Sequence, residues 1–351
     1  MQAVLLERTG SADVLRWTKV PRPEPGPGQL RVQVRAIGLN YAEVLSRKGL
    51  YGWAPKRPYV PGMEVAGVVE AAGSGVGIAP GTPVMVGCQY GAYAEEVVVP
   101  EAQALPMIEG LSMVEAAAFP VNFMTAWVAL RILGRPRPGE TVAISPAGGG
   151  VGTAAVQIAV AMGCRVVALA GSDSKLERVK ELGVHATACY GESGFPEALQ
   201  SALDSGRKGQ GIDVAVEMVG GEVFRGVRAA MAPFGRMVVA GYASLDYRWW
   251  NPASLWRAWR GVPRIPLGEQ FRRSLGLYTT HLGYLLDDPD GLGQIWSGLT
   301  EFVVAHGLKP QVGHVLPARR IADAHRLMES RGSYGKIILN MSEGLGTEVV
   351  S

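Results

Sequence analysis

Five small or apolar residues in the middle of the chain have the types and spacing of a dinucleotide-binding fingerprint. Ala147 occupies the first glycine position of the pattern G-x-G-x-x-G, Gly149 the second and Gly152 the third. In such a turn the first residue permits the tight bend, the second lets the backbone approach a diphosphate, and the third lets helix and strand pack closely. N–H groups at the start of the following helix bind phosphate oxygens, so we include Gly150 and Val151 in the predicted cofactor contact.

The fingerprint requires a strand before the turn and a helix after it. Thr141–Ser145 is a β-branched apolar run, residues 153–162 are rich in alanine without a helix breaker, and residues 164–170 are predicted as a second buried strand. A glycine-rich turn alone is also typical of a flexible loop. These flanks supply the βαβ unit of a nucleotide site, which favours the nucleotide interpretation.

The residues after the second strand bear on which dinucleotide binds. An NAD site usually has Asp or Glu at this strand end to bind the ribose 2′-hydroxyl, whereas residues 171–175 begin with glycine and serine. Ser172 can donate a hydrogen bond and Lys175 can offset phosphate charge, which favours a 2′-phosphate and therefore NADPH. Asp173 weakens that inference, and Lys175 could also be an ordinary surface lysine.

Length and composition indicate a globular enzyme of two domains. The 351 residues are 48% apolar and carry a formal net charge of +3, which is too small to indicate nucleic-acid binding. The three cysteines lack C-x-x-C spacing, so we expect reduced thiols. The chain does not begin with a basic segment and a long apolar run, and no stretch of about 18 apolar residues follows. We therefore expect a soluble, cytoplasmic protein.

Two patterns of secondary structure follow each other along the chain. Residues 1 to about 120 contain short strands with glycine turns, including one predicted over residues 92–100, which indicates a small antiparallel barrel. Strands then alternate with helices, which predicts an α/β fold with a doubly wound parallel sheet. The predicted strands of this sheet are residues 141–145, 164–170, 186–190, 212–217, 236–241 and 275–280.

Polar residues mark the starts of predicted helices. Asn40 precedes a short helical stretch over residues 41–47 and is a candidate cap. Ser112 and Glu115 have the spacing of a capping box before helices that extend to about residue 133. A further helix is predicted over residues 318–329, ahead of a final strand.

One segment departs from this alternation. It is rich in tryptophan and arginine, comprising Arg248, Trp249, Trp250, Trp256, Arg257, Trp259, Arg260, Arg264, Arg272 and Arg273. Contact of residues 248–273 with an anionic membrane or with a large amphipathic substrate is one interpretation. We favour a packed surface helix, because the stretch is short and interrupted by prolines.

Five motifs occur in a fixed order along the chain. They are AIGLNYAE at 36–43, GLY at 49–51, PGMEVAG at 61–67, PAGGGVG at 146–152 and GKIIL at 335–339. Together they resemble the medium-chain dehydrogenase/reductase superfamily and, within it, the zinc-free quinone oxidoreductase group. The resemblance covers essentially the whole chain, and residues 281–284 with the tryptophan-rich segment are most similar to the synaptic-vesicle membrane protein homologues of that group.

The resemblance implies two domains and no metal. A GroES-like catalytic domain would comprise residues 1–122 and 283–351, and a Rossmann domain residues 123–282. Zinc alcohol dehydrogenases of the superfamily place Cys-His where this chain has Asn40 and Tyr41, and His where it has Met63. An amide and a thioether replace zinc ligands poorly. We therefore expect no zinc, and we expect Glu64 to be a structural residue hydrogen-bonded within the barrel.

The residue types also limit the reaction. Without a Lewis acid, hydride transfer depends on the electrophilicity of the acceptor, which favours quinones and α,β-unsaturated carbonyls. By resemblance, Asn40 and Tyr51 would line the substrate cleft with Tyr41 beside them, and Thr125 would contact the nicotinamide. The tyrosine matching Tyr51 is the proposed proton donor of related enoyl-thioester reductases. A packing role for Tyr51 and a capping role for Asn40 remain open.

The same resemblance completes the predicted cofactor site and names a partner. Tyr190 and Arg331 would bind the 2′-phosphate together with Lys175, which strengthens the case for NADPH. The remaining residues that we assign to the cofactor are Val219, Gly241 and Tyr242. The resemblance also implies a homodimer joined through the sixth strands, residues 275–280.

These observations predict NADPH-dependent reduction of a small-molecule quinone or activated double bond. Reduction of 2-enoyl thioesters is the alternative within the same fold. A non-catalytic, membrane-associated NADPH-binding protein is the alternative from another class.

Overall fold

The computed structural model describes residues 1–191, 193–205, 211–242, 265 and 267–342. Contacts divide the chain into two compact units. The first unit comprises Met1–Met124 and Leu282–Ser351, and the second comprises Thr125–His281. The sequence placed the corresponding boundaries after residue 122 and before residue 283.

The strands are, in chain order, β1 (Gln2–Val4), β2 (Trp17–Lys19), β3 (Gln29–Gly38), β4 (Glu64–Ala72), β5 (Pro83–Gly87), β6 (Glu96–Pro100), β7 (Ala104–Pro106), β8 (Thr141–Ser145), β9 (Arg165–Ala170), β10 (Ala186–Cys189), β11 (Ile212–Glu217), β12 (Met231–Val239), β13 (Gly276–Thr279), β14 (Val312–Pro317) and β15 (Lys336–Asn340).

The α-helices are α1 (Tyr41–Lys48), α2 (Met113–Ala116), α3 (Pro120–Trp127), α4 (Gly150–Ala161), α5 (Asp173–Lys180), α6 (Phe195–Asp204), α7 (Gly221–Ala229), α8 (Leu267–Arg273), α9 (Pro289–Ala305) and α10 (Ile321–Glu329). Val128–Gly134 is a π-helical segment. Short 3₁₀ turns occur at Ala12–Val14, Glu101–Gln103, Leu282–Asp287 and Ala318–Arg320.

The first unit is built on a seven-stranded sheet. Its strand order is β14-β15-β3-β4-β5-β7, and β6 pairs with β3. The pairs are antiparallel as predicted, except that β14 and β15 are parallel. The sequence did not predict β14, because Gly313, His314 and Pro317 interrupt its apolar pattern.

The core of the first unit follows from alternation along β3. Val32, Val34 and Ala36 are buried, whereas Gln33 and Arg35 between them are exposed. Side chains of a strand point alternately to opposite faces, so every second residue enters the core. The alternation of apolar and polar residues along this stretch of the sequence predicts the same buried face.

The second unit contains a six-stranded sheet in the order β10-β9-β8-β11-β12-β13, with all pairs parallel. The chain runs outward from β8 in both directions, which is the doubly wound arrangement predicted from the alternation of strands and helices. Every residue of β8 and β9 is buried. Burial on both faces explains why these strands are continuous apolar runs.

Some element boundaries differ from the sequence prediction. The strand predicted over residues 92–100 begins only at Glu96, and β12 begins at Met231 rather than at 236. The additional residues of β12 include a register shift in its pairing with β11. Phe234 has a φ of 62°, and regular pairing with β11 resumes at Arg236. The helix predicted over residues 318–329 begins as a 3₁₀ turn and becomes α-helical at Ile321.

Candidate functional site

The glycine-rich turn of the second unit joins β8 to α4. Gly149 is the residue before the helix, and a Cβ atom built on it would meet nothing within 4 Å. A Cβ atom on Gly152 would lie 1.9 Å from the carbonyl oxygen of Pro146. Ala147 is fully buried, and its N–H donates to Leu169 at 2.7 Å. The second glycine position therefore faces open space, and the third position has no room for a side chain.

The N-terminus of α4 is the part of this turn that could bind phosphate. Gly150 and Val151 are the first two helical residues, and both are partly exposed. The first N–H groups of a helix have no partner within the helix and carry partial positive charge. Gly150 and Val151 can therefore donate to an anionic diphosphate.

Lys175 lies against the same turn. A Cβ atom on Gly148 would be 3.2 Å from Lys175 Cβ and 3.3 Å from its Cδ. Ser172 precedes α5, and its hydroxyl is 3.1 Å from that of Ser174. Asp173, which weakened the sequence inference, is exposed in the first turn of α5. The structure thus brings the predicted lysine to the predicted diphosphate turn.

Tyr190 lies at the end of the neighbouring strand β10. A Cβ atom on Gly171 would meet the Tyr190 ring at 3.3 Å, and the ring packs edge to face on Phe195 with centroids 6.2 Å apart. Gly171 follows β9, so Tyr190 lies beside the segment that also contains Ser172. Arg331 belongs to the other unit, where it is exposed and follows α10 with a φ of 57°.

Glu217 organises the carboxyl ends of the central strands, and sequence reasoning missed it. Its carboxylate accepts from Val219 N–H at 2.8 Å, from Gly220 N–H at 3.0 Å and from the Ser145 hydroxyl at 3.2 Å. Burial raises the pKa of Glu217 to about 6. An acidic residue ending an apolar strand was the signal that could have identified it.

Two other predicted cofactor residues lie near this carboxylate. A Cβ atom on Gly241 would be 3.7 Å from Met218 Cβ, which places Gly241 next to the end of β11. Tyr242 is exposed, and partial burial together with the charge of Glu217 raises the pKa of its phenol. Val219, Gly241 and Tyr242 thus follow β11 and β12 at the edge where a parallel sheet binds its ligands.

In the first unit, Asn40 belongs to a buried polar cluster. Its amide nitrogen donates to Glu64 Oε1 at 2.9 Å, and its oxygen accepts from Lys336 Nζ at 2.7 Å. Lys336 also forms an ion pair with Glu64 and donates to Asn122 Oδ1 at 3.3 Å. The other oxygen of Glu64 accepts from Val121 N–H, in the first turn of α3, at 2.8 Å.

The cluster compensates the charges that it buries. The three ammonium hydrogens of Lys336 have three acceptors, so the burial of the ion pair is compensated by hydrogen bonds. Gly38 makes room for it, because a Cβ atom there would be 2.8 Å from Glu64 Cγ. The structural role expected for Glu64 within the barrel is confirmed, whereas Lys336 was missed because nothing local in the sequence links it to Asn40.

Glu43 is the centre of a second buried cluster. It is the third residue of α1, and its carboxylate accepts from Asn40 N–H and Met63 N–H, each at 2.8 Å, and from the Tyr93 hydroxyl at 2.5 Å. Tyr93 Oη is 3.0 Å from His325 Nε2. Burial raises the pKa of Glu43 to about 7. Sequence reasoning recognised none of these three side chains, and a Glu three residues after a helix cap was the available signal.

Glu43 and Tyr51 both line a small, partly open recess in the first unit. Burial, and then the charge of Glu43, raise the pKa of the Tyr51 phenol to about 12. Tyr41 begins α1 and is partly exposed, and Thr125 is buried on α3. Two of the predicted catalytic residues are thus near the Glu43 carboxylate. The backbone N–H of Asn40 donates to it, and Tyr51 lines the same recess.

The described ranges also bear on metal and membrane binding. Among them, no group of three or more His, Cys, Asp or Glu side chains has the arrangement of a metal site. In the same part of the chain no helix has both the length and the apolar character needed to cross a membrane. Most of the tryptophan-rich segment lies outside the described residues, including all four of its tryptophans. Arg273 is described, and its guanidinium donates to the Ala229 carbonyl at 3.1 Å.

Comparison with known proteins identifies the class to which this fold belongs. Residues 26–109 match the family of alcohol dehydrogenase GroES-like domains, and residues 150–257 match the zinc-binding dehydrogenase family. The chain is 33% identical over 353 aligned residues to the mouse synaptic vesicle membrane protein VAT-1 homolog, covering 97% of this chain and 83% of the mouse protein. The chain therefore belongs to the medium-chain dehydrogenase/reductase superfamily.

Solved structures of two enzymes are similar over almost the whole chain. The quinone oxidoreductase from Thermus thermophilus, solved alone and with NADPH, is 34% identical with a TM-score of 0.79, covering 97% of this chain and all of the other. The CurK enoyl reductase is 26% identical with a TM-score of 0.83, covering 97% of this chain and 98% of the other. The chain is accordingly an oxidoreductase of this superfamily.

Proposed function

We propose that the protein is a metal-free reductase that uses NADPH to reduce quinones or α,β-unsaturated carbonyl compounds. The buried cluster around Lys336 carries this proposal. Asn40 and Met63 stand where related zinc enzymes have ligands, and the Asn40 oxygen already accepts from the Lys336 ammonium. An amide engaged by a cation of the chain and a thioether do not make a zinc site. Only acceptors that are already electrophilic can then be reduced.

NADPH fits the residues of the second unit. The open face of Gly149 and the N-terminus of α4 would hold the diphosphate. The 2′-phosphate would be bound by Lys175, Ser172 and Tyr190. Lys175 would contribute positive charge, and Ser172 and Tyr190 would each contribute a hydroxyl group. When bound, NADPH supplies the hydride. The NADPH complex of the similar Thermus thermophilus enzyme supports this choice.

The chain's own groups would stabilise and protonate the reduced acceptor. The Asn40 amide has one N–H that is not donated to Glu64, so it can donate to an oxygen that becomes negative during the reaction. Tyr51 keeps its proton at neutral pH, because its pKa is raised to about 12. A protonated phenol beside a developing enolate can act as a general acid.

A panel of acceptors tests the proposal. Turnover is measured for a small quinone, an α,β-unsaturated aldehyde, an enoyl-CoA and a simple ketone, each with NADPH and with NADH. We expect reduction of the quinone or the aldehyde, no reduction of the ketone, and a preference for NADPH. Dialysis against a chelator should leave activity unchanged. Ketone reduction that is lost on dialysis would contradict the proposal.

Reduction of 2-enoyl thioesters is the second candidate, and the similarity to the CurK enoyl reductase favours it. Faster turnover of the enoyl-CoA than of the quinone in the panel would select it. Tyr51→Phe separates the two types of chemistry further. If the phenol donates a proton, aldehyde and enoyl-CoA turnover should fall more than quinone turnover, whereas a uniform loss would indicate a packing role.

A further inference from the structure

The carboxyl group of Glu43 is buried and accepts several hydrogen bonds. Its side chain is 1% exposed, and three donors converge on it from Asn40, Met63 and Tyr93. None of these donors is a cation. A buried carboxylate without a cation in direct contact is costly, and hydrogen bonds compensate only part of that cost.

Charged and titratable groups from several elements act on Glu43 or on its partner Tyr93. Those that interact with Glu43 are Tyr51 and Tyr59 in the loop after α1, Glu64 on β4, Cys88 after β5, Tyr93 before β6 and Lys336 on β15. Arg47 on α1 acts on Tyr93, and His325 on α10 contacts it. Burial is the largest influence on Glu43. The Tyr93 hydrogen bond, the Asn40 N–H and Lys336 lower its pKa, and Glu64 raises it, with a result of about 7.

Tyr93 contacts this carboxylate and His325 contacts Tyr93, and neither residue supplies the proton of Glu43. The Tyr93 hydroxyl donates its hydrogen to Glu43. The Tyr93 oxygen can therefore only accept from His325, whose Nε2 must carry the hydrogen of the imidazole. Burial, with a contribution from Arg47, lowers the pKa of His325 to about 3, so the imidazole stays neutral. We therefore expect a proton to reach Glu43 through the recess, which is partly open and which Tyr51 also lines.

We propose that Glu43 returns a proton to Tyr51 after each turnover, an inference that rests on the proposed function. A tyrosine that gives its proton to the product must recover one before the next cycle. Glu43 lines the same recess as Tyr51, and its charge acts on the phenol. Among the residues that line this recess, Glu43 is the one that carries a carboxyl group.

The step is a proton transfer and needs no oxidant or reductant. The enolate carbon or hydroquinone oxygen of the reduced acceptor takes the phenolic proton, so the Tyr51 O–H bond breaks and a C–H or O–H bond forms. The carboxyl O–H bond of Glu43 then breaks, and the proton passes to Tyr51 Oη directly or through water in the recess. Solvent reprotonates Glu43, so one proton enters for each hydride transferred.

The pH dependence of kcat with the aldehyde tests this role. Only the protonated carboxyl can supply a proton, so kcat should fall as the pH rises through about 7. Glu43→Gln should lower kcat by about 10²-fold, a typical contribution of acid–base catalysis, and should abolish this pH dependence. Quinone reduction should be affected much less, because solvent can protonate a hydroquinone anion.

Tyr93→Phe provides a second variant and a readout that needs neither cofactor nor turnover. It removes a hydrogen bond that lowers the pKa of Glu43, so the carboxyl should titrate at higher pH. Infrared titration of the unliganded protein follows the carboxyl band directly, and Glu43→Gln identifies that band. The fall of kcat with pH should move upward with it. If Glu43 had a purely structural role, the infrared band would still move, but the pH dependence of kcat would not move with it, and the inference would be wrong.

Glu115→Gln is the matched control. Glu115 is also the third residue of a helix with a capping box, and its carboxylate accepts from Ser112. The control should leave the infrared band and the pH dependence of kcat unchanged, and thermal unfolding shows whether each variant is folded. A Glu43→Gln enzyme with the wild-type pH dependence would overturn the inference and leave the proposed function intact. Wild-type protein that reduces no acceptor would overturn both.

Discussion

The ammonium of Lys336 holds the amide oxygen of Asn40 at 2.7 Å, and 296 positions of sequence separate the two residues. This contact orients the amide, because its oxygen faces Lys336 and its nitrogen faces Glu64. A side chain that could otherwise rotate is thereby fixed with one N–H left to donate.

Lys336→Met should strongly destabilise the fold. The substitution leaves the Glu64 carboxylate buried without its cation, which typically costs about 3–5 kcal/mol. Urea unfolding measures the loss. Adding Glu64→Gln should recover part of it, since the uncompensated charge is then removed. Lys180→Met is the control, because its ion pair with Glu177 is exposed and should be worth less than about 1 kcal/mol. Equal losses in the two lysine variants would contradict the importance of burial.

Lys175→Ala should raise the KM for NADPH much more than the KM for NADH. A charge-assisted hydrogen bond to phosphate is worth about 1.5–3 kcal/mol, which corresponds to a change of roughly tenfold or more. Steady-state kinetics with both coenzymes measures the ratio. Lys180→Ala, at the other end of α5, should leave the ratio unchanged. Equal effects of Lys175→Ala on both coenzymes would remove this residue from the phosphate site.

Gly149→Val should impair cofactor binding, whereas Gly152→Ala should impair the stability of the fold. A side chain on Gly149 meets no protein atom within 4 Å, so Gly149→Val should fold normally and lose cofactor binding. A Cβ atom on Gly152 would lie 1.9 Å from a backbone oxygen, so Gly152→Ala should lower thermal stability even without cofactor. Thermal unfolding and coenzyme fluorescence titration distinguish the two. Normal NADPH binding by Gly149→Val would place the diphosphate elsewhere.

His325→Gln should reduce the sensitivity of the fold to mild acid. The pKa of His325 is lowered from 6.5 to about 3, so the unfolded chain binds a proton in this interval that the folded protein does not. Stability associated with the neutral imidazole is therefore present above pH 6.5 and lost as the pH falls toward 3. Between pH 6.5 and 5 the wild type should lose about 1.5 kcal/mol through this residue.

Urea unfolding at a series of pH values measures that loss. The amide nitrogen of Gln can replace His325 Nε2 as the donor to Tyr93 without titrating. His306→Gln, at an exposed position, is the control and should follow the wild type. A His325→Gln protein that loses stability as steeply as the wild type would show that other groups cause the acid sensitivity.

Local features of the chain were readable from the sequence because their causes lie within a few residues. The strand, turn and helix around Gly149 follow from a β-branched run, small residues and an alanine-rich stretch. Thr141–Ser145 and Ile212–Glu217 have the bounds that their apolar pattern indicated. By contrast, β14 has a weak pattern and is a strand because β15 is beside it.

The sequence by itself determined the class of fold, the dinucleotide fingerprint and the residue types that exclude zinc ligands at Asn40 and Met63. Only the tertiary structure decided which side chains meet Asn40 and Glu43. From the far end of the chain, Lys336 reaches Asn40, and His325 reaches the Tyr93 hydroxyl that donates to Glu43. No local pattern in the sequence distinguishes this lysine or this histidine from the others. Burial then sets their chemistry, because a carboxyl such as Glu43 changes its pKa through desolvation by residues distant in the chain.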